Sequence, residues 1–227
     1  MIYQKYFKRL IDILCALAAI IVFSWLYLIL IVLGAIFMRG NPFFTQARPG
    51  KDEKIFKLIK FRTMDNRTDE AGNLLPDEVR LNKYGRFLRK TSLDEIPEAF
   101  NILKGDLSVV GPRPQLVRDM VFMTDEQRKR HTVIPGLTGL AQINGRNIIS
   151  WEQKLDYDLK YIQHISFCED VKIIFLTIYK AFAKQEGINQ EGMDTAEDLG
   201  DWLLHCGVID ENEYQTKQGA ATKILEE

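Results

Sequence analysis

The sequence predicts a mostly helical α/β protein associated with a membrane: an N-terminal membrane helix, a small β-hairpin, and amphipathic interfacial helices around a compact domain. Three observations carry this. Residues 13–38 form a run of 26 without a charge, and only Ser24 and Gly34 fall outside the apolar set. Residues 43–64 (FFTQARPGKDEKIFKLIKFRTM) hold two short apolar stretches on either side of a Pro-Gly pair. Residues 151–162 and 171–183 repeat apolar and aromatic side chains at helical spacing, with lysines among them. Outside the uncharged run about 40% of residues are apolar, as in an ordinary soluble domain. The 227 residues therefore divide into a membrane-length segment and a soluble-like body of one-domain size.

The uncharged run is too long for a signal-peptide core. It is followed by Arg39-Gly40-Asn41-Pro42 and not by a small-residue cleavage site. A straight helix of that length rises about 39 Å, enough to cross a hydrocarbon core of ~30 Å. Length therefore favours a span. The flanks favour a helix that turns back to the face it came from, because both are basic: Lys5, Lys8 and Arg9 precede the run, and Arg39, Arg48, Lys51, Lys54 and Lys57 follow it. Ser24 lies near the middle, where a serine can bond to a backbone carbonyl and bend a helix. Against a bend, the run contains no proline and has Trp25 and Tyr27 at its centre. On the residues alone the two topologies are equal.

In the body, 43–64 reads as two strands around an Arg48-Pro49-Gly50 turn, with Ile55, Phe56, Leu58, Ile59 and Phe61 as buried faces. Residues 65–82 read as a surface loop, Ser92–Leu103 as a helix, and 124–131 as a short charged helix. Gly105–Pro114 and Pro135–Gly145 are Gly/Pro-rich connections. In 151–162, Trp151, Leu155, Leu159 and Ile162 share a helix face with Tyr161 alongside. Residues 171–183 carry Ile173, Ile174, Phe175, Leu176, Ile178 and Phe182 between Lys172, Lys180 and Lys184. Snorkelling lysines and aromatic rings suit a helix lying in a headgroup layer; a core-facing helix pair is the competing reading. One helix near Thr195–Leu204 and another past Asp210 complete the chain. The predicted domains are 1–40 (membrane anchor), 41–192 (body) and 193–227 (acidic appendage).

The net charge of −1 conceals a division. Glu186–Glu227 contains eleven acidic residues against two lysines, a net −9, so the first 185 residues carry +8. A basic body beside an apolar segment suits an anionic membrane surface or phosphorylated substrates. Nucleic acid is excluded as a partner for want of any accompanying motif. Cys15, Cys168 and Cys206 are odd in number and lack C-x-x-C spacing, so neither a disulfide framework nor a zinc ribbon is expected. They read as small buried hydrophobes.

The stretch RKTSLDEIP (89–97) carries the most chemistry. Ser92 and Glu95 have capping-box spacing, which places Asp94 in a first helical turn, where the dipole and Arg89 favour its ionised form. An ionised carboxylate in such a frame can bind a metal ion or attack phosphorus; a well-capped helix is the plain alternative. In Gly111-Pro112-Arg113-Pro114, two prolines restrict the backbone around one arginine, whose planar fork fits phosphate oxygens. Lys60-Phe61-Arg62 and Gly145-Arg146 add cations, so an acidic pair is surrounded by positive charge suited to a polyanionic substrate.

Four stretches, FFTQARPG (43–50), KFRTM (60–64), LRKTSLDEIPEAFNILKGDLSVVGPRP (88–114) and PGLTGLAQINGRNIISW (135–151), occur in an order and spacing that resembles the bacterial sugar transferase family, the small monotopic phosphoglycosyl transferases. Within it the chain is most similar to undecaprenyl-phosphate diacetylbacillosaminyl phosphate transferase-type enzymes, which start glycan assembly for protein N-glycosylation. The resemblance runs to about Gly192. It implies a transferase of substituted phosphate groups that moves a sugar 1-phosphate from a UDP-sugar to undecaprenyl phosphate and releases UMP. Asp94 and Glu95 match the catalytic dyad, with Asp94 as nucleophile and ligand of Mg²⁺. Arg89 and Arg113 match phosphate-binding residues, and Lys60 is assigned with them. Thr138, Gln142, Asn144 and Arg146 lie where substrate contacts are expected. The resemblance further implies the cytoplasmic face of the bacterial inner membrane, contact with membrane lipid, and downstream glycosyltransferases as partners.

Two features depart from the family. Its membrane helix is broken by a Ser-Pro pair, whereas here Ser24 is followed by Trp25. The basic flanks together with the family pattern still make a re-entrant helix the expectation. The acidic end beyond Met193 has no counterpart in the resemblance. A non-catalytic, membrane-tethered scaffold for a glycan-assembly complex, docked through that end, is the competing function.

Overall fold

The structure, a computed structural model, describes residues 2–145, 149–183 and 197–226. Residues 146–148 and 184–196, with Arg146, Glu186, Glu191, Asp194 and the predicted helix start at Thr195, lie outside the described residues. The chain forms two compact units: Leu10–Gln46 with Leu58–Gly105, and Met1–Arg9 with Ala47–Lys57 and Asp106–Glu227.

In the first unit the uncharged run is broken. Helices α1 (Lys8–Val22) and α2 (Ser24–Phe37) meet at Phe23, and the axis bends there by 66°. Among the described residues no single helix is long and apolar enough to cross a membrane, whereas this bent pair passes on length and composition together. Tyr27, Leu30 and Gly34 line the buried face of α2 at helical spacing. Tyr27, Leu30 and Met38 form a core with Phe61, Tyr84 and Leu88, and the Tyr84 hydroxyl donates to the Leu30 carbonyl at 3.0 Å.

Strands β1 (Phe43–Pro49) and β2 (Ile55–Phe61) form a two-stranded sheet. The reversal between them is longer than the predicted three-residue turn, running through Gly50 and a 3₁₀ turn at Lys51–Glu53. Ile55, expected to be buried, is exposed, while Phe56, Leu58 and Phe61 are buried. Adjacent strand residues face opposite ways, so Ile55 and Phe56 cannot both point inward.

The predicted loop at 65–82 holds a bridge between Thr68 and Leu74 and the short helix α3 (Asp77–Arg80). Helix α4 (Lys83–Thr91) follows, capped by the Asn82 side chain, which accepts from the Gly85 amide at 2.9 Å. The single helix predicted over Ser92–Leu103 does not form. Ser92 adopts a left-handed conformation (φ 54°) that closes α4, and its side chain caps nothing. Leu93–Glu95 is a 3₁₀ turn, and α5 (Glu98–Lys104) starts only after Pro97, which has no N–H to continue a helix.

The second unit is built on a sheet hidden in the two Gly/Pro-rich stretches. Strand β3 (Ser108–Val110) is followed by α6 (Val117–Met120) and α7 (Asp125–Arg128), the latter with a Thr124–Gln127 capping box. Strand β4 (Gly136–Thr138) then pairs parallel to β3, with Ser108 opposite Gly136 and Val110 opposite Thr138. A β-carbon at Gly136 would lie 2.0 Å from the Gly111 nitrogen, so glycine is needed for this approach.

Helices α8 (Leu140–Ile143), α9 (Trp151–Gln163), α10 (Phe167–Ala183), α11 (Leu199–His205) and α12 (Glu211–Glu226) complete the unit. Helix α9 is a core helix, contrary to the interfacial reading: Trp151, Leu155 and Tyr161 are buried. Helix α10 buries Ile173 but exposes Phe167, Val171, Phe175, Ile178 and Tyr179. The three cysteines, expected to be buried, are all exposed.

Candidate active site

The acidic pair stands on the tight turn between α4 and α5. Because Ser92 ends one helix and Pro97 delays the next, Asp94 and Glu95 are held half-buried on a 3₁₀ turn and not along a continuous helix. Glu95 Oε1 accepts from Lys60 Nζ at 2.8 Å. The same ammonium lies 3.2 Å from Oε1 of Glu98, which is 2% exposed. Arg89 Nε donates to Thr63 Oγ1 at 3.1 Å. Two further bonds fix the frame: Asn101 Oδ1 accepts from the Ile59 amide at 3.0 Å, tying α5 to β2. The Tyr27 hydroxyl donates to the Ile96 carbonyl at 2.5 Å, tying the turn to α2.

Arg113, Thr138 and Gln142 belong to the second unit. The backbone around Arg113 is clamped carbonyl by carbonyl. Pro112 accepts from the Gly136 amide at 2.9 Å, Arg113 from Arg130 Nη2 at 2.6 Å, and Pro114 from Arg48 Nη1 at 3.2 Å. Arg130 is 1% exposed and pairs with Asp158, also buried, through two nitrogens at 2.6 and 2.9 Å. Removing one partner of such a pair costs about 3–5 kcal/mol, since the other charge is left buried alone. The Leu137 carbonyl accepts from Gln142 Nε2 at 3.0 Å and from Arg113 Nη1 at 3.5 Å, which brings these two predicted residues together. Thr138 Oγ1 is 2.7 Å from Thr177 Oγ1 on α10. Asn144 is exposed and turned back, its amide donating to the Leu140 carbonyl of α8.

Residues 3–184 match the bacterial sugar transferase family. The chain belongs to this family. It is 49% identical over 190 residues to the uncharacterized sugar transferase EpsL of Bacillus subtilis, covering 84% of this chain and 94% of that protein. It is 40% identical over 186 residues to the UDP-glucose:undecaprenyl-phosphate glucose-1-phosphate transferase of Klebsiella pneumoniae, 78% of this chain but only 40% of that longer protein. Identity to the exopolysaccharide production protein ExoY of Rhizobium meliloti is 37% over 193 residues, 75% and 83% of the two chains. The family match ends before α11 and α12.

In each unit, residues that hold the predicted ones escaped sequence reasoning. Glu98 lies four residues after Asp94, a spacing that marks a shared face only in the continuous helix predicted over Ser92–Leu103, whereas here Glu98 opens α5. Arg130 and Asp158 sit in segments whose charge reads as solvated surface, and Thr63 and Arg48 lie within KFRTM and FFTQARPG, which show nothing of the groups they bond. Among the described residues no three His, Cys, Asp or Glu side chains gather as a metal cage. The donor chemistry nevertheless fits Mg²⁺, which takes one or two carboxylates and completes its shell with water and substrate phosphates. Asp94 is the carboxylate that would hold it. Bound there, the ion would offset the charge of phosphate oxygens.

Proposed function

We propose that this family member transfers a sugar 1-phosphate from a UDP-sugar to undecaprenyl phosphate and releases UMP, as the first membrane step of glycan assembly. The observation that carries this reading is the Asp94–Glu95 turn, framed by Lys60 and Arg89, in a chain 40% identical to a protein named for that reaction with UDP-glucose. An Asp94 oxygen attacks the sugar-bearing phosphorus. The bond from that phosphorus to the bridging oxygen breaks, and UMP leaves with the oxygen, so the sugar phosphate is held as an aspartyl ester. A phosphate oxygen of undecaprenyl phosphate then attacks the same phosphorus and returns Asp94 as a free carboxylate. Glu95, anchored by Lys60, takes the acceptor's proton where it arrives protonated. Arg89 and Arg113 hold phosphate oxygens, Lys60 adds charge to the same task, and Thr138, Gln142, Asn144 and Arg146 contact the donor.

We place the enzyme on the cytoplasmic face of the bacterial inner membrane, anchored by residues 1–40 as a re-entrant helix, with 41–192 as the catalytic domain. Supporting this, Tyr3 and Lys8, which precede the bent pair's apolar part, both hold Asp170 of α10, at 2.7 and 2.6 Å. The decisive experiment measures UMP release from UDP-glucose, UDP-galactose, UDP-N-acetylglucosamine and UDP-diacetylbacillosamine with Mg²⁺ and undecaprenyl phosphate. Asp94→Asn is expected to lower release by about a thousandfold or more; unchanged release would remove Asp94 as nucleophile.

A further inference from the structure

We infer that α11 and α12 are a clamp that positions Arg113, acting through Asp119; this rests on the reading of Arg113 as a phosphate-holding residue. Residues 197–226 lie beyond the family match at 3–184, so the clamp is built outside the matched region. The Gly111–Pro114 loop is pinned from the body by Gly136, Arg130 and Arg48, as described above. Its exit runs directly into α6, which begins four residues after Arg113 and is itself only four residues long. One helical turn does not hold its own shape in water, so α6 needs partners.

The C-terminal helices supply those partners. Asp119, 2% exposed, uses both carboxylate oxygens: Oδ2 accepts from the Leu116 amide at 3.0 Å and closes the start of α6. Oδ1 accepts from the Leu199 amide at 2.9 Å and so ties α6 to the start of α11. Arg118 pairs with Asp198, and Trp151 Nε1 donates to the Glu197 carbonyl at 3.1 Å. Leu199 shares a core with Phe122, Met123, Trp151 and Leu155, while Ala221 of α12 is buried with Val117 and Met120 of α6. Tyr214 and Asp201, bonded at 2.5 Å, join the two C-terminal helices to each other. Arg113 is thus held at Pro112, Arg113 and Pro114 by the body, and the segment that leaves it is held by an element outside the family match. A misplaced clamp shifts the arginine fork without touching the reacting atoms, and small displacements of a positioning group are costly in rate or binding.

The test is a double-mutant cycle in the full-length protein. A β-carbon at Gly200 would lie 2.5 Å from Phe122 Cε2 inside the shared core, so Gly200→Val displaces α11. UMP release is measured against concentration of the best UDP-sugar from the screen above, in the wild type and in an Arg113→Ala background. Gly200→Val is expected to raise KM for the UDP-sugar about tenfold with a smaller change in kcat. In the Arg113→Ala background it is expected to add less than about twofold. The same factor in both backgrounds would overturn the clamp, as would an unchanged KM when limited proteolysis shows α11 released. If Gly200→Val does not fold, Asp119→Asn carries the same cycle, because its amide places a donor against one of the two backbone N–H groups it must accept from. Arg113→Ala with unaltered kinetics would remove the phosphate role of Arg113, and the clamp with it.

Discussion

His131 lies 3.3 Å from Glu53 Oε1 through Nδ1, with Arg130 Nη1 at 3.5 Å from Nε2. Burial, and then the positive charge of Arg130, push its pKa down to about 4, against the weaker opposing pull of Glu53. Arg128 is the other charge that faces this cluster; its hydrogen bond to Glu53 holds that carboxyl below its usual value. The folded protein therefore keeps His131 neutral at pH values where the unfolded chain, with an ordinary histidine pKa near 6.5, already binds a proton. The stabilisation is complete above about pH 6.5 and is lost as pH falls from there towards 4, with no further change from this group below that value. Its size is on the order of 3 kcal/mol. Glu53 acts in the same direction at lower pH, its contribution fading as pH falls through its depressed folded-state value. His131→Gln should therefore flatten the decline of the thermal midpoint between pH 6.5 and 4 in detergent solution, leaving only the carboxylate limb. A variant whose midpoint falls as steeply as the wild type over that interval would contradict the assignment.

At the scale of elements, the break at Phe23 decides what a proline would do. Trp25 is the second residue of α2 and is 60% exposed. In a straight helix a proline there would clash with the preceding turn and cost about 3 kcal/mol. In the first turn of a helix that starts at Ser24, its fixed φ is already the one required. Trp25→Pro should therefore leave membrane integration and UMP release within about twofold of wild type; loss of either would mean that the bend does not persist in the bilayer. The bend was legible from Ser24 and the basic flanks, and α9 and α10 from their periodicity. Helix α4 was not, because its buried Tyr84 and Leu88 stand among Lys83, Arg86, Arg89 and Lys90. Strands of three residues such as β3 and β4 show no alternation to detect. The Ser92–Glu95 spacing matched a capping box, but a left-handed Ser92 cannot serve as one, so the acidic pair was found by its residues and misplaced in its geometry. Arg130 and Asp158 were invisible because a paired buried charge and a solvated one look alike in sequence.

Across the whole chain, the topology turns on which side of the membrane the N-terminus lies. Helices α1 and α2 expose Leu14, Ile21, Trp25, Leu28, Val32 and Ile36, an amount of apolar surface that suits lipid better than water. A helix that crossed the bilayer would put residues 1–9 opposite everything after the run. Yet those nine residues belong to the same compact unit as 106–227. Lys8 and Tyr3 meet Asp170, which is 4% exposed and also accepts from the Tyr161 hydroxyl at 2.7 Å. Separating Lys8 from Asp170 across a membrane would leave a buried carboxylate without its cation, a cost of about 3–5 kcal/mol, and would leave a basic flank on each side of the membrane. Both terms favour the re-entrant arrangement. Ile2 is 71% exposed and is a suitable reporter once the three native thiols, all exposed, are replaced by serine. In right-side-out spheroplasts carrying Ile2→Cys in that background, a membrane-impermeant maleimide should label the protein only after the membrane is opened. Labelling of intact spheroplasts would place the N-terminus outside and make the bent pair a crossing helix.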